Sequence, residues 1–87
     1  MKNRIKHDLM GLMMIPGLSG HEDRVRRDLR SRLDAIGVES RSDRLGNLVA
    51  HFPGEGLRVM LFTHMDQLGF IVRGIEADGL IRLERLG

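Results

Sequence analysis

A histidine and an aspartate, His64 and Asp66, are separated by one residue in the second half of the chain. In an extended backbone, residues two positions apart point to the same side, so the imidazole and the carboxylate would be neighbours. A neutral imidazole is a good ligand for zinc or cobalt, and a nearby carboxylate can ligate the metal or orient the imidazole. Because the same triplet also occurs on solvated surfaces without such a role, its surroundings must decide between a metal site and an exposed pair.

The triplet follows an apolar segment, residues 57–62, in which Arg58 is the only polar side chain. A continuous apolar run of this kind predicts a strand buried on both faces, as in the middle of an α/β sheet. Side chains at the carboxyl end of such a strand lie where open α/β sheets usually bind ligands. Gly69, just beyond the triplet, would allow the chain to bend close to the site. This position favours His64 as a metal ligand.

Two helices are predicted before this segment. Apolar residues at helical spacing predict the first over residues 3–14, and Pro16 ends it. The second is predicted from Ser19, which forms with Glu22 an S-x-x-E capping box whose side chains can each satisfy a free backbone N–H. Gly37 is expected to be its C-terminal cap. Its apolar face consists of Val25, Leu29, Leu33 and Ile36.

The remaining elements are predicted to be short strands. One covers residues 47–52, and a loop rich in glycine and proline at 53–56 connects it to the apolar segment. Two further strands at 70–75 and 80–83 are joined through the Asp78-Gly79 pair, a strong hairpin signal. The sequence therefore predicts an α/β fold in which two helices pack on a small mixed sheet.

Charge and composition exclude several classes of function. Fourteen basic and twelve acidic residues give a net charge of only +2, and no aromatic residues alternate with the arginines, so nucleic-acid binding is not predicted. Cysteine is absent, which excludes disulfides and thiolate metal sites. No window is long and apolar enough to cross a membrane, and the first residues do not resemble a signal sequence. A soluble cytoplasmic protein without membrane partners is expected.

Three segments together resemble a known family. They are residues 17–22 (GLSGHE) followed by Val25-Arg26, residues 43–48 (DRLGNL), and residues 63–70 (THMDQLGF). Their order and spacing are similar to those of the dinuclear metallo-aminopeptidases that include glutamyl aminopeptidases and proteins once labelled endoglucanases. The resemblance covers nearly all of this chain but only the N-terminal portion of a family member.

The resemblance implies a role for each residue of the triplet. His64 would bind one of two divalent metal ions, zinc or cobalt, and Asp66 would be the active-site carboxylate. Gln67 stands where the family pattern often has Glu, which removes a charge near the site. Residues 1–69 would be the N-terminal part of an incomplete zinc-peptidase-like catalytic domain, and residues 70–87 the start of an inserted β-rich dimerisation domain.

The same resemblance implies a complete protein that removes N-terminal residues from peptides and assembles as a homo-oligomer. The remaining metal ligands and the general base would lie downstream, so this chain alone is expected to bind metal weakly or not at all and to be inactive. The alternative is a non-catalytic folded module that associates with another chain, in which the triplet has only a structural role.

The other candidate residues have simpler interpretations. His7 and His21 are expected on the surface or beside a helix cap, and His51 is expected to be exposed. The methionines Met10, Met13 and Met14 are expected to pack in the core rather than to bind a metal or cofactor. The arginines of the second helix are expected to form a solvated face, with an acidic partner as the alternative.

Overall fold

The computed structural model describes all 87 residues and contains two helices and four strands. The helices are α1 (Lys2–Met13) and α2 (Asp23–Ala35), and the strands are β1 (Ser40–Ser42), β2 (Leu48–Ala50), β3 (Gly69–Ile75) and β4 (Ile81–Leu86). β1 pairs with β2 and β3 pairs with β4, both antiparallel, in two separate two-stranded sheets. The predicted α/β class is confirmed, with the strands divided between two small sheets. Neither helix has the length and the apolar character that crossing a lipid bilayer requires.

Helix α2 ends as the sequence predicts, in a Schellman motif around Gly37. The Val38 N–H donates to the Leu33 carbonyl at 2.9 Å and the Gly37 N–H donates to the Asp34 carbonyl at 3.0 Å. Gly37 has a φ of +75°, a conformation that glycine adopts without the steric cost of a Cβ. The last carbonyls of the helix are thereby satisfied.

The start of α2 differs from the prediction. Ser19 does not cap the helix: the N-cap residue is Glu22, and it makes no side-chain bond to the helix backbone. Instead, Leu18 to His21 form a tight turn in which the His21 N–H donates to the Leu18 carbonyl at 2.8 Å. Gly20 occupies the third position of this turn with a φ of +82°, as in a type II turn. The turn places Ser19 too early in the chain to reach the first free N–H groups of the helix.

The packed centre of the chain is very small. Only Val25 and Gly17 are buried, and a Cβ added to Gly17 would lie 2.6 Å from a methyl group of Val25, so only glycine permits this approach. The radius of gyration is 17.1 Å, whereas a compact domain of this length has about 12 Å. The three methionines predicted to pack in the core, Met10, Met13 and Met14, are exposed, so that prediction was wrong.

The predicted buried strand at residues 57–62 is absent from the structure. This segment has no strand pairing, and its apolar side chains, from Leu57 to Phe62, are at least 80% exposed. The predicted hairpin through residues 53–56 is absent for the same reason. A strand needs a partner for its backbone groups, and no other part of the chain lies beside this segment.

Candidate functional site

His64 and Asp66 are in direct contact, as their spacing predicts. The Nδ1 atom of His64 lies 3.0 Å from Oδ1 of Asp66 and 2.9 Å from the Asp66 backbone carbonyl. An ionised carboxylate and a carbonyl can only accept hydrogen bonds, so Nδ1 carries the proton and donates. When the imidazole is neutral, this arrangement leaves its free lone pair on Nε2.

The two side chains differ in exposure in a way that suits a ligand and its support. The His64 side chain is 82% exposed, whereas that of Asp66 is 35% exposed. A metal-binding histidine commonly donates its second ring N–H to a carboxylate, which orients the ring and raises its basicity. The pair has this arrangement, with Nε2 available to an external group and Asp66 behind Nδ1.

Gln67 attaches this pair to the connection between the two helices. Its backbone N–H donates to the Gly17 carbonyl at 2.8 Å, and residues 18 and 67 form an isolated parallel bridge. Its side-chain Nε2 donates to the Ile15 carbonyl at 2.7 Å, a contact that is partly buried. The backbone after Asp66 is therefore held on the loop that follows α1, although the apolar residues before His64 are unattached.

A second motif, residues 43–48, is a compact turn built on one carboxylate. Asp43 accepts hydrogen bonds from the N–H groups of Leu45 and Asn47, each at 2.9 Å, and from the Asn47 side-chain amide at 2.8 Å. The bond from the Asn47 side chain, together with the backbone bonds, holds the pKa of Asp43 below its ordinary value. Aspartate and asparagine at these positions are the signal by which the sequence could have predicted this turn.

Arg26 ties that turn to helix α2. Its Nε donates to the Gly46 carbonyl at 2.6 Å, and its Nη1 donates to Asp23 at the same distance. Gly46 has a φ of +88°, and a Cβ there would lie 2.6 Å from the Arg26 guanidinium. Gly46 is thus required by the close approach of Arg26 and by its positive φ, a packing role rather than a chemical one.

The donor set of the chain suits one metal ligand and falls short of a complete site. Nowhere in the 87 residues do three or more His, Cys, Asp or Glu side chains converge in a way that could hold a metal ion. The other three histidines, His7, His21 and His51, are exposed, as the sequence predicts. A divalent ion in a peptidase site needs at least three protein ligands, so His64 and Asp66 can contribute to such a site without forming one alone.

The comparisons with known proteins agree with the motifs. A sequence model of the M42 glutamyl aminopeptidase family matches residues 46–87, the part that contains the His64–Asp66 pair. The chain matches the N-terminal portion of the M42 aminopeptidases. The family resemblance predicted from the sequence is confirmed.

Individual relatives extend the M42 match over most of the chain. The lysyl aminopeptidase of Pyrococcus furiosus is 41% identical over 73 residues, which cover 83% of this chain and 21% of that protein. The glutamyl aminopeptidase of Lactococcus lactis is 37% identical over 79 residues, which cover 87% of this chain and 22% of that protein. The chain spans less than a quarter of the length of the curated relatives it matches.

A solved structure shows the same M42 fold. The dodecameric PhTET1-12s superposes on this chain with a TM-score of 0.83 and 28% sequence identity, over 93% of this chain and 24% of that one. The two helices and the paired strands therefore form a fragment of the domain, as predicted.

Proposed function

We propose that this chain is the N-terminal portion of a dinuclear-metal aminopeptidase that hydrolyses N-terminal residues from peptides. The observation that carries the proposal is the His64–Asp66 pair, with Nδ1 and Oδ1 3.0 Å apart, within the residues that match the M42 family. The tautomer, the exposed Nε2 and the supporting carboxylate are the features that a metal-binding histidine needs.

In this proposal His64 is a ligand to one metal ion and Asp66 is the active-site carboxylate. Two divalent metal ions, zinc or cobalt, would supply Lewis-acid activation of water and of the peptide carbonyl. The contribution of this chain is to hold the metal-binding side chain in position. Asp66 holds the proton of Nδ1 and so keeps the Nε2 lone pair of His64 directed outward, while Gln67 fixes the backbone that follows.

We assign residues 1–69 to the catalytic domain and residues 70–87 to the start of an inserted β-rich dimerisation domain. The support is that β3 and β4 pair only with each other, in a hairpin separate from the β1–β2 sheet beside α2. A homo-oligomer is proposed for the complete protein, in line with the dodecameric structural relative. The absence of cysteine is consistent with the proposed cytoplasmic location.

Calorimetric titration of the chain with Co²⁺ tests the proposal. We expect weak binding in the wild type, no measurable binding in His64→Ala, and reduced binding in Asp66→Asn, in which the amide no longer bears a charge behind Nδ1. His51→Ala is the matched control, since His51 is also an exposed histidine, near the end of a strand. Equal Co²⁺ affinity in wild type and His64→Ala would remove His64 from the metal site.

One observation favours the second candidate function, a non-catalytic module that associates with another chain. The segment at residues 57–62 presents four large apolar side chains in a row, Val59 to Phe62, each at least 80% exposed. Contiguous exposed apolar surface of this kind commonly marks an interaction site. The Co²⁺ titration distinguishes the two candidate functions. For a module without metal chemistry, His64→Ala should leave the Co²⁺ affinity unchanged.

A further inference from the structure

A groove between helix α2 and strand β1 collects positive charge that the metal site does not use. It has a volume of about 370 Å³ and is lined by Asp23, Arg26, Arg27, Arg30 and Ser42, with no apolar side chain among them. None of these residues belongs to the His64–Asp66 segment, so the groove is separate from the proposed metal site.

The donors in this groove are only partly used within the chain. Arg26 already donates through Nη1 to Asp23 and through Nε to the Gly46 carbonyl. Arg30 donates through Nη2 to the Ser42 hydroxyl at 2.8 Å, but its Nε is buried from solvent and has no hydrogen-bond partner. Arg30 therefore keeps N–H groups that no acceptor within the chain uses.

Arg27 and Ser42 contribute two further hydrogen-bond donors to the groove. Arg27 makes no hydrogen bond or ion pair in the chain and presents a complete guanidinium fork. The Ser42 oxygen accepts the bond from Arg30, which leaves its own proton free to donate. Donors from a helix and from the neighbouring strand therefore line one groove, as recognition of an anion with several oxygens requires.

The charge count indicates the kind of anion. The Arg26 side chain, by hydrogen bond and by charge, lowers the pKa of Asp23, which stays ionised and paired. That pair is neutral overall, so the groove retains the two positive charges of Arg27 and Arg30. A dianion balances them, whereas a carboxylate balances one. With about 30 Å³ per water in the liquid, the groove also has room for an organic group that carries the anion.

We propose that the groove formed by Arg27, Arg30 and Ser42 binds a phosphate dianion, either as the free ion or as a phosphate monoester. Binding would place the dianion against the Arg27 guanidinium, the Arg30 guanidinium and the Ser42 hydroxyl, which line the groove. Guanidinium groups bind phosphate through paired, charge-assisted hydrogen bonds, which makes arginine the residue best suited to this task.

The test is a titration of the full 87-residue chain at pH 7.5 and constant ionic strength, followed through the arginine Nε–Hε signals in ¹H–¹⁵N spectra. Inorganic phosphate and O-phosphoserine are titrated separately, to distinguish the free ion from the ester, and acetate is the monoanionic comparison. We expect a saturating shift of the Arg30 Nε–Hε signal with at least one phosphate compound and weaker binding of acetate.

Three variants make the result specific. Arg27→Gln breaks no internal contact, and it should weaken phosphate binding by about tenfold, the equivalent of one charge-assisted hydrogen bond. Ser42→Ala should weaken it by a smaller factor. Arg24→Gln, the matched control, removes the same charge from the same helix outside the groove and should leave the affinity within about twofold. Non-saturating shifts, or an equal loss in Arg27→Gln and Arg24→Gln, would overturn the proposal.

Discussion

The side-chain amide of Gln67 donates to the backbone carbonyl of Ile15 at 2.7 Å, across 52 positions of sequence. With the bond from the Gln67 N–H to the Gly17 carbonyl, it joins the end of the His64–Asp66 segment to the loop after α1. A glutamate, which the family pattern often has at this position, carries no proton to donate when ionised. With Gln67 in place of Glu, the chain lacks a negative charge near the site and gains a hydrogen bond to the loop after α1.

Replacing Gln67 by Glu should therefore destabilise the chain. The Ile15 carbonyl would lose its donor and face a carboxylate, and a partly buried group left without its partner costs about 1–3 kcal/mol. Urea denaturation at pH 7 measures the change in the free energy of unfolding. Glu55→Gln is the control, since Glu55 is exposed and makes no contact, and it should be neutral. Equal stability of Gln67→Glu and wild type would show that the side-chain bond contributes nothing.

The start of helix α2 gives a second prediction, on Ser19. A serine N-cap is worth about 1 kcal/mol, which is what the S-x-x-E pattern predicts for Ser19→Ala. Because Ser19 lies in the turn before the helix, we expect Ser19→Ala to change the free energy of unfolding by less than about 0.5 kcal/mol. Glu22→Ala should cost more, since Oε1 of Glu22 accepts the Gly20 N–H at 2.8 Å. Thermal denaturation of both variants measures the two changes in stability. A larger loss of stability in Ser19→Ala than in Glu22→Ala would show that Ser19 caps the helix.

How far the sequence predicts this structure depends on how local each interaction is. The Asp78-Gly79 hairpin and the Gly37 cap are determined by neighbouring residues, and both form as predicted. The prediction that Ser19 caps α2 was wrong because Leu18 is held by a bridge to Gln67, 49 positions away. The residues around Ser19 give no sign of that distant contact. The strand predicted at 57–62 did not form for a related reason, since no other part of the chain lies beside it to pair with its backbone groups.

The same distinction applies to the candidate site. The contact between His64 and Asp66 follows from their spacing, so the sequence alone predicts it. The attachment by Gln67 joins two distant segments, so only the structure could show it. The unpartnered Nε of Arg30 also could not be predicted from the sequence, because it depends on how β1 lies beside α2.

The Asp43 turn should respond to pH in a defined direction. The bond from the Asn47 side chain, with those from the backbone, favours the ionised carboxylate and lowers its pKa in the folded chain. Its stabilising contribution is therefore complete above the unfolded pKa of aspartate and is lost as the pH falls through the lowered folded value. The amide signals of Leu45 and Asn47 should show an inflection below the usual aspartate range. Asp43→Asn should abolish it, and an inflection at or above that range would contradict the assignment.

The exposed apolar segment at 57–62 should make the chain self-associate. A segment with unpaired backbone groups and large exposed apolar side chains can pair with another chain, and a second copy of this chain supplies such a partner. Sedimentation velocity at micromolar concentrations should detect oligomers, and Leu61→Lys should shift them toward monomer. Leu45→Lys introduces the same change at an equally exposed leucine outside the segment and should have no effect. A compact monomer at all concentrations in the wild type would remove the segment as an association surface.

The isolated chain should be catalytically silent even with metal supplied. A dinuclear peptidase site needs several protein ligands that hold both ions and leave a position open for water, and this chain brings together only His64 and Asp66. We expect no cleavage of aminoacyl anilides by the purified chain with added zinc, cobalt or manganese, in wild type or in His64→Ala. If turnover is observed, the His64→Ala variant distinguishes its two possible explanations. Activity lost in His64→Ala would mean that oligomers complete the site, whereas metal-dependent activity that survives His64→Ala would contradict both the ligand assignment and the proposal that this portion is inactive alone.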